Sequence, residues 1–195
     1  MSENDFGDRL IVITAPSGAG KTSLIKRLMA DDPSLAFSIS HTTRLPRPGE
    51  VEGRDYYFVS EAEFLKKVAS DGFLEWAKVH GPHYGTSRSE IERLTRSGKR
   101  IVLDIDVQGS LILQKTIRAL YIFIAVADVG VLRERLLKRK AESSDNMSTD
   151  AMMRRLKDAE WELEQGLRWP HRVVNDDLEK ARVQLKTIVY SSQGS

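Results

Sequence analysis

Ile11-Val12-Ile13-Thr14-Ala15-Pro16-Ser17-Gly18-Ala19-Gly20-Lys21-Thr22 joins an apolar run to a small-residue loop and a helix, a strand–loop–helix unit of the α/β kind. Leu10 to Ile13 form a short apolar run that reads as a buried strand. Beyond the loop of small residues, Leu24, Ile25 and Leu28 recur at helical spacing. The loop follows the phosphate-binding pattern GxxxxGK with Thr next, except that Ala15 stands where the first Gly usually sits. Gly18 and Gly20 let the backbone curl so that its N–H groups face an anion, and the helix that follows adds its positive end. Lys21 would set a point charge on terminal phosphates, and Thr22 would ligate Mg²⁺. The stretch therefore implies a nucleoside triphosphate, with Ala15, Pro16, Ser17, Gly18, Ala19, Gly20, Lys21 and Thr22 around it.

The 195 residues suffice for one α/β domain with a substantial core and a mobile insertion. A net charge of +2 is too small to imply a nucleic-acid or membrane partner, and no run of 18 apolar residues appears. The acidic start lacks a signal-peptide core, and residues 1–8 read as a disordered leader. With no cysteine there is neither a disulfide framework nor a thiolate zinc site. His41, His80, His83 and His171 show no metal-ligand spacing and read as surface or loop residues. A cytoplasmic location is the default expectation.

Along the chain, a helix runs to about Ala30 and is stopped by Asp31-Asp32-Pro33. Phe37, Ile39 and His41 alternate with polar neighbours and predict one half-buried strand. In the polar loop after it, Arg44 and Arg47 stand three apart, stiffened by Pro46 and Pro48. Each guanidinium can bind phosphate bidentately, so the loop reads either as an anion clamp or as a solvated surface. A helix is expected over Ser60 to Ala69. Phe73 to Val79 is apolar enough for a strand, yet it places Glu75 among hydrophobes, where a carboxylate needs a partner or a ligand pocket. His80 to Thr86 reads as a turn-rich loop, followed by a helix opened by Ser87-x-x-Glu90 at capping-box spacing.

Arg100 to Gly109 reads as a second buried strand, with Asp104 and Asp106 toward its carboxyl end, where open α/β sheets gather ligands. Asp104 would hold the metal's water shell or orient Thr22; the competing reading makes both aspartates strand-end caps. Tyr121 to Val126 is a third strand. From Val129 the chain turns helical and basic, residues 141–150 are polar and read as flexible, and Met152, Leu156, Ala159 and Leu163 form a helical stripe. Basic residues flanking a flexible segment suit a lid swinging arginines onto phosphate, or simply a solvated helix. Arg172 to Asp177 reads as a short last strand before a terminal amphipathic helix.

Several of these segments together resemble the guanylate kinases, which transfer phosphate from ATP to GMP. Thr42-Thr43-Arg44-x-x-Arg47-x-Gly49-Glu50-x-x-Gly53-x-Asp55-Tyr56-x-Phe58-Val59 is similar to that family's GMP-binding signature and is far more specific than a phosphate loop. Phe73 to Ala77, Tyr84-Gly85-Thr86, Leu103-Asp104-x-Asp106-x-Gln108-Gly109 and Val174 to Asp177 match in order, so the likeness covers roughly residues 9 to 190. It implies an α/β fold of the P-loop nucleoside monophosphate kinase kind, a central parallel sheet flanked by helices. The domain would span 8–190, with a core of 8–39, 87–135 and 156–190, a GMP-binding insertion near 40–86 and a mobile lid near 136–155.

The resemblance also implies roles. Ser40, Arg44, Arg47 and Tyr56 would grip the GMP phosphate, with Tyr84 and Gly85 beside the nucleotide. Glu75, Thr86 and Asp106 would read guanine, whose N1–H and exocyclic amine suit a carboxylate while O6 suits a hydroxyl donor. Asn175 and Asp176 would lie on the adenine side. Arg139 and Arg155 match the lid arginines, although sixteen positions separate them and Arg154 rivals Arg155. The attacking phosphate oxygen is already anionic, so catalysis would rest on alignment and charge neutralisation by Lys21, Arg44, Arg47, Arg139, Arg155 and Mg²⁺, the last held at Thr22 and, through water, at Asp104. The expected partners are ATP and GMP, without nucleic acid, membrane or an obligate protein partner; a homo-oligomer is left open. Two other functions compete: a phosphotransferase with a different acceptor, and a non-catalytic module binding phosphorylated proteins through Arg44 and Arg47.

Overall fold

Apolar runs become strands and 3.6-periodic stretches become helices in the computed structural model. It describes residues 5–79, 81–142 and 149–191, the side chains of 5, 139–142 and 149–151 excepted. In chain order the elements are β1 (Asp5–Thr14), α1 (Lys21–Asp31), β2 (Leu35–Phe37), β3 (His41–Thr42), β4 (Tyr57–Phe58), α2 (Glu61–Ala69), β5 (Phe73–Lys78) and β6 (His83–Ser87). Then follow α3 (Arg88–Thr95), β7 (Arg100–Asp104), α4 (Val107–Leu113), β8 (Arg118–Ala125), α5 (Val129–Glu142), α6 (Thr149–Gly166), β9 (His171–Val174) and α7 (Leu178–Ser191). A five-stranded sheet has the order β2-β7-β1-β8-β9, with β2 parallel to β7 and β8 parallel to β9; a second sheet has the order β4-β3-β6-β5. Strands buried on both faces read as continuous apolar runs, which is why β7 and β8 were legible.

The chain divides into two compact units, residues 1–12 with 32–120, and residues 13–31 with 121–195. In the first, Leu10 to Val12, Ile101 to Leu103, Ile91, Leu94 and Leu113 are buried together with Phe64 and Phe73. The Phe64 and Phe73 rings stack at 4.4 Å between centroids, which seats α2 on the four-stranded sheet. Ser60 opens α2 with a reciprocal capping box to Glu63. At α3 only half of the expected box forms. Ser87 accepts from the Glu90 N–H, but the buried Glu90 carboxylate instead takes Arg93 at 2.8 Å and the Ile39 N–H at 3.4 Å.

In the second unit, β8 is buried from Tyr121 through Ala125, and Leu24, Ile25 and Leu28 of α1 are buried with Ala181, Leu185 and Val189 of α7. Arg182 and Lys186 of α7 hold Asp31 at 2.8 and 3.3 Å, and Arg27 pairs with Glu179. Pairs of this kind, open to solvent, contribute little to stability. A Cβ at Gly166 would run into the Phe123 ring, so glycine there lets the end of α6 lie against β8.

Four further expectations change. Residues 5–8 belong to β1 rather than to a leader, and Arg100 anchors them by donating to the Asp8 carbonyl at 2.8 Å. The single strand expected across Phe37 to His41 is two: β2 pairs with β7 while β3 joins the other sheet, and the alternation ran unbroken through the switch. His83 to Ser87 is a strand, not a loop: it pairs with the preceding β5 on one side and, on its other side, with β3 from distant sequence. The second strand ends at Asp104, and Asp106 caps α4. Of the polar segment expected at 141–150, residues 143–148 lie outside the described residues.

Candidate functional site

In the first unit the expected GMP residues gather on and around the four-stranded sheet. Trp76 pairs with Gly85 across β5 and β6, which puts Glu75, Ala77, Tyr84 and Thr86 on the opposite face. Glu75 is buried, and its Oε1 accepts the Thr86 N–H at 3.0 Å and the Thr86 hydroxyl at 2.6 Å. Two donors on one oxygen fix the carboxylate's direction while its second oxygen, Oε2, lies against Gly109. The hydroxyl's one proton is thereby engaged by Glu75, so in this state Thr86 is not poised as the O6 donor the resemblance implied. Gly85 has no room for a Cβ, which would meet Phe73 at 2.9 Å and Trp76 at 3.0 Å.

Asp106 accepts the Gly109 N–H at 2.6 Å, which makes it the N-cap of α4. This is the helical counterpart of the cap reading. Asp104 is half-buried at the end of β7.

The arginine loop is tied internally. Arg44 donates to both Glu50 oxygens, at 2.8 and 3.0 Å, and to the Leu45 carbonyl at 2.7 Å. Its guanidinium lies 5.4 Å from the centre of the Tyr56 ring and 5.9 Å from that of Phe58. Glu50 also accepts the Arg47 backbone N–H at 2.7 Å. Burial works against the Arg44 charge, but the bond to Glu50 and then the Tyr84 hydroxyl more than offset it and raise its pKa. Burial likewise works against Glu50's charge, but the Arg44 bond, the Arg47 N–H and the charges of both arginines together outweigh it and lower its pKa. Burial, followed by the charge of Asp104, pushes the Tyr56 hydroxyl up to about 12, so it stays a neutral hydrogen-bond donor. Arg47 is exposed, and Ser40 is half-buried, its carbonyl accepting the Tyr57 N–H at 2.9 Å. The organising part of Glu50 was missed from sequence: it lies within the quoted motif, but its spacing gives no hint that it holds both arginine positions.

In the second unit the loop between β1 and α1 has the curled form its glycines predict, with φ of +89° at Gly18 and +85° at Gly20. Among the described residues Asp71 alone is a non-glycine with positive φ, so Ala15 needs none of the freedom of the glycine it replaces. The Ala19 N–H donates to the Pro16 carbonyl at 3.1 Å. Lys21 is the first residue of α1 and half-buried, and Thr22 is exposed beside it.

Asn175 is buried at the end of β9, where its Nδ2 donates to the Ala19 carbonyl at 2.6 Å. Arg135 of α5 reaches the Asn175 carbonyl at 2.8 Å and the Ala19 carbonyl at 3.4 Å. Nothing in the basic run singled Arg135 out. Glu162 of α6 accepts the Ser17 N–H at 3.3 Å, and Asp176 accepts the Ala127 N–H at 3.0 Å. Arg155 is half-buried and Arg154 exposed on α6. The expected lid arginine Arg139 falls outside the described side chains.

Comparison with known proteins bears on the family of the chain as a whole. The family model described as guanylate kinase matches residues 7–192. The guanylate kinase of Desulfotalea psychrophila is 44% identical over 187 residues, covering 95% of this chain and 90% of that protein. That of Thermotoga maritima is 45% identical over 186 residues, covering 95% and 87%. A crystal structure of guanylate kinase from Anaplasma phagocytophilum superposes with a TM-score of 0.74 at 29% identity, covering 95% of this chain and 86% of that one. With a curled phosphate loop in one unit, a buried Glu75–Thr86 pair in the other and this likeness over nearly the whole length, the chain belongs to the guanylate kinase family.

Proposed function

We propose that this chain transfers the γ-phosphate of ATP to GMP or dGMP, giving ADP and the guanosine diphosphate. The observation that carries the reading is the buried Glu75 carboxylate, held by the Thr86 N–H and hydroxyl. Guanine presents N1–H and an exocyclic amine side by side, two donors for one carboxylate. Adenine reverses that edge and would leave the buried charge unpaired, which costs roughly 1–3 kcal/mol or more. Arg44 and Arg47, with Tyr56 and Tyr84, would bind the GMP phosphate, and Lys21 with the loop N–H groups the ATP phosphates.

An acceptor that is already an anion needs no general base, so this chain's residues would act by orientation and by neutralising charge. Arg44, stacked on two rings and pinned by Glu50, is pre-organised for that task. The described residues include no group of three or more His, Asp or Glu that could hold a metal. An exposed hydroxyl such as Thr22, at the start of α1, suits Mg²⁺, which usually takes one or two protein oxygens and fills its shell with phosphates and water. When bound, it would neutralise charge on the triphosphate. Asp106, as the cap of α4, would fix the helix start beside Glu75 as well as read guanine. Arg139 and Arg155 remain our lid assignments. No described helix is long and apolar enough to cross a membrane, and we place the enzyme in the cytoplasm.

The test is acceptor binding by Glu75→Ala. Loss of a charge-assisted pair should weaken GMP binding about 10- to 150-fold and leave ATP binding unchanged. Unaltered preference for GMP over AMP would refute the assignment of Glu75.

A further inference from the structure

The Asn-Asp-Asp segment resembles an adenine-side motif, yet the Asn175 side chain turns elsewhere. Its Nδ2 points at the backbone of the phosphate loop and donates to the Ala19 carbonyl at 2.6 Å. Asn175 is 4% exposed, and its own N–H is fixed to the Ala125 carbonyl at 2.8 Å, in line with the β8–β9 register. The amide is thus carried on the frame of the sheet, and Arg135 clasps the same two residues through their carbonyls. Because a carbonyl only accepts, the amide's orientation follows from its partner.

In a trans peptide the C=O and the following N–H point in opposite directions. Anchoring the Ala19 carbonyl on Asn175 therefore turns the Gly20 N–H the other way, and the peptide cannot flip without breaking that buried bond. Gly20, at φ +85°, also has no space for a Cβ, which would strike the Asn175 amide nitrogen. Glycine and asparagine fit as a pair: one supplies the curl, the other locks its direction. A nest for phosphate needs its N–H groups aligned beforehand, because each misdirected donor has to be reorganised during binding.

We propose that Asn175 is a positioning residue for the triphosphate, acting through the Ala19–Gly20 peptide, rather than a reader of the adenine base. This rests on the loop being the ATP phosphate site. The two roles separate by ligand. A base reader acts on ATP alone, whereas a loop-positioning residue acts on any chain of phosphates, with or without a base.

The experiment titrates ATP and inorganic tripolyphosphate, each with Mg²⁺, into the full-length protein and into Asn175→Ala and Asn175→Asp. The aspartate keeps the shape but cannot donate from its ionised carboxylate. Both variants should bind ATP and tripolyphosphate about tenfold more weakly and by the same factor, with the KM for GMP unchanged. Weakening for ATP alone would make Asn175 a base contact and overturn the proposal, as would unchanged affinity for both ligands. In the wild-type protein, the Gly20 amide proton should shift downfield when tripolyphosphate binds. An unmoved Gly20 amide would overturn the proposal even if neither variant folds. Wild-type protein that bound neither ligand would overturn the ATP-site reading and this role with it.

Discussion

Gly109 sits inside α4, where a glycine costs about 1 kcal/mol relative to alanine, and its helical backbone gives no conformational reason for it. Its reason is space. A Cβ there would lie 2.5 Å from Glu75 Oε2 and 2.7 Å from Ile105 Cγ2, against an ordinary contact of 3.4 Å or more. Glu75 cannot simply swing aside, because it is buried and its other oxygen is held by two donors. In Gly109→Ala the carboxylate must move by about 0.9 Å, the shortfall from ordinary contact. Overpacking of this kind costs about 1–3 kcal/mol, and the helix recovers about 1, so net stability should fall by about 0–2 kcal/mol.

The effect on function should be larger. A displacement near 1 Å moves a hydrogen bond out of its useful range and can cost up to about 10²-fold. We expect the KM for GMP to rise about 10- to 100-fold while the KM for ATP stays within about twofold. The assay is steady-state kinetics at varied GMP and varied ATP, with thermal unfolding alongside. On a Glu75→Ala background the same substitution should add little, since no carboxylate remains to displace. An unchanged KM for GMP in Gly109→Ala, or equal penalties on both backgrounds, would show that Gly109 does not keep space for the Glu75 carboxylate.

Two further outcomes follow. Lys21→Met removes the charge assigned to the terminal phosphates, so kcat should fall on the order of 10²–10³-fold with the fold intact by circular dichroism; a loss under tenfold would displace Lys21 from that role. His41 is half-buried against Tyr57 and Phe73, its Nδ1 has no partner, and burial, then the charge of Lys67, brings its pKa from 6.5 down to about 4. As pH falls the unfolded chain takes up that proton first, so stability present above about 6.5 is lost between 6.5 and 4. His41→Gln should flatten urea-derived stability across that window, and an identical slope in both proteins would count against it.

How much of this was legible depended on whether each signal was local. The phosphate loop could be read because glycine curl, Lys21 and the helix start lie within a dozen residues. Strands β7 and β8 could be read because burial on both faces leaves an unbroken apolar run. The break between β2 and β3 could not, since period-2 alternation says nothing about which sheet a strand joins. Strand β6 was hidden by the glycine and proline before it and by partners supplied from β3 and β5. The same limit holds for side chains. Glu75 stood out as a carboxylate among hydrophobes, but Thr86 as its donor and Gly109 as the space beside it are tertiary facts. Glu50 stood inside the motif and Arg135 inside the basic run, with nothing local to show their bonds to Arg44, Asn175 and Ala19.

ADP release with ATP and Mg²⁺ against a panel of GMP, AMP, CMP and UMP reads phosphoryl transfer and acceptor choice together. Rapid turnover with GMP, and turnover with the other three lower by at least about 10²-fold, is the result predicted from the Glu75–Thr86 pair. Comparable or faster turnover with another acceptor would contradict the specificity pocket, and no turnover while ATP still binds would contradict catalysis itself.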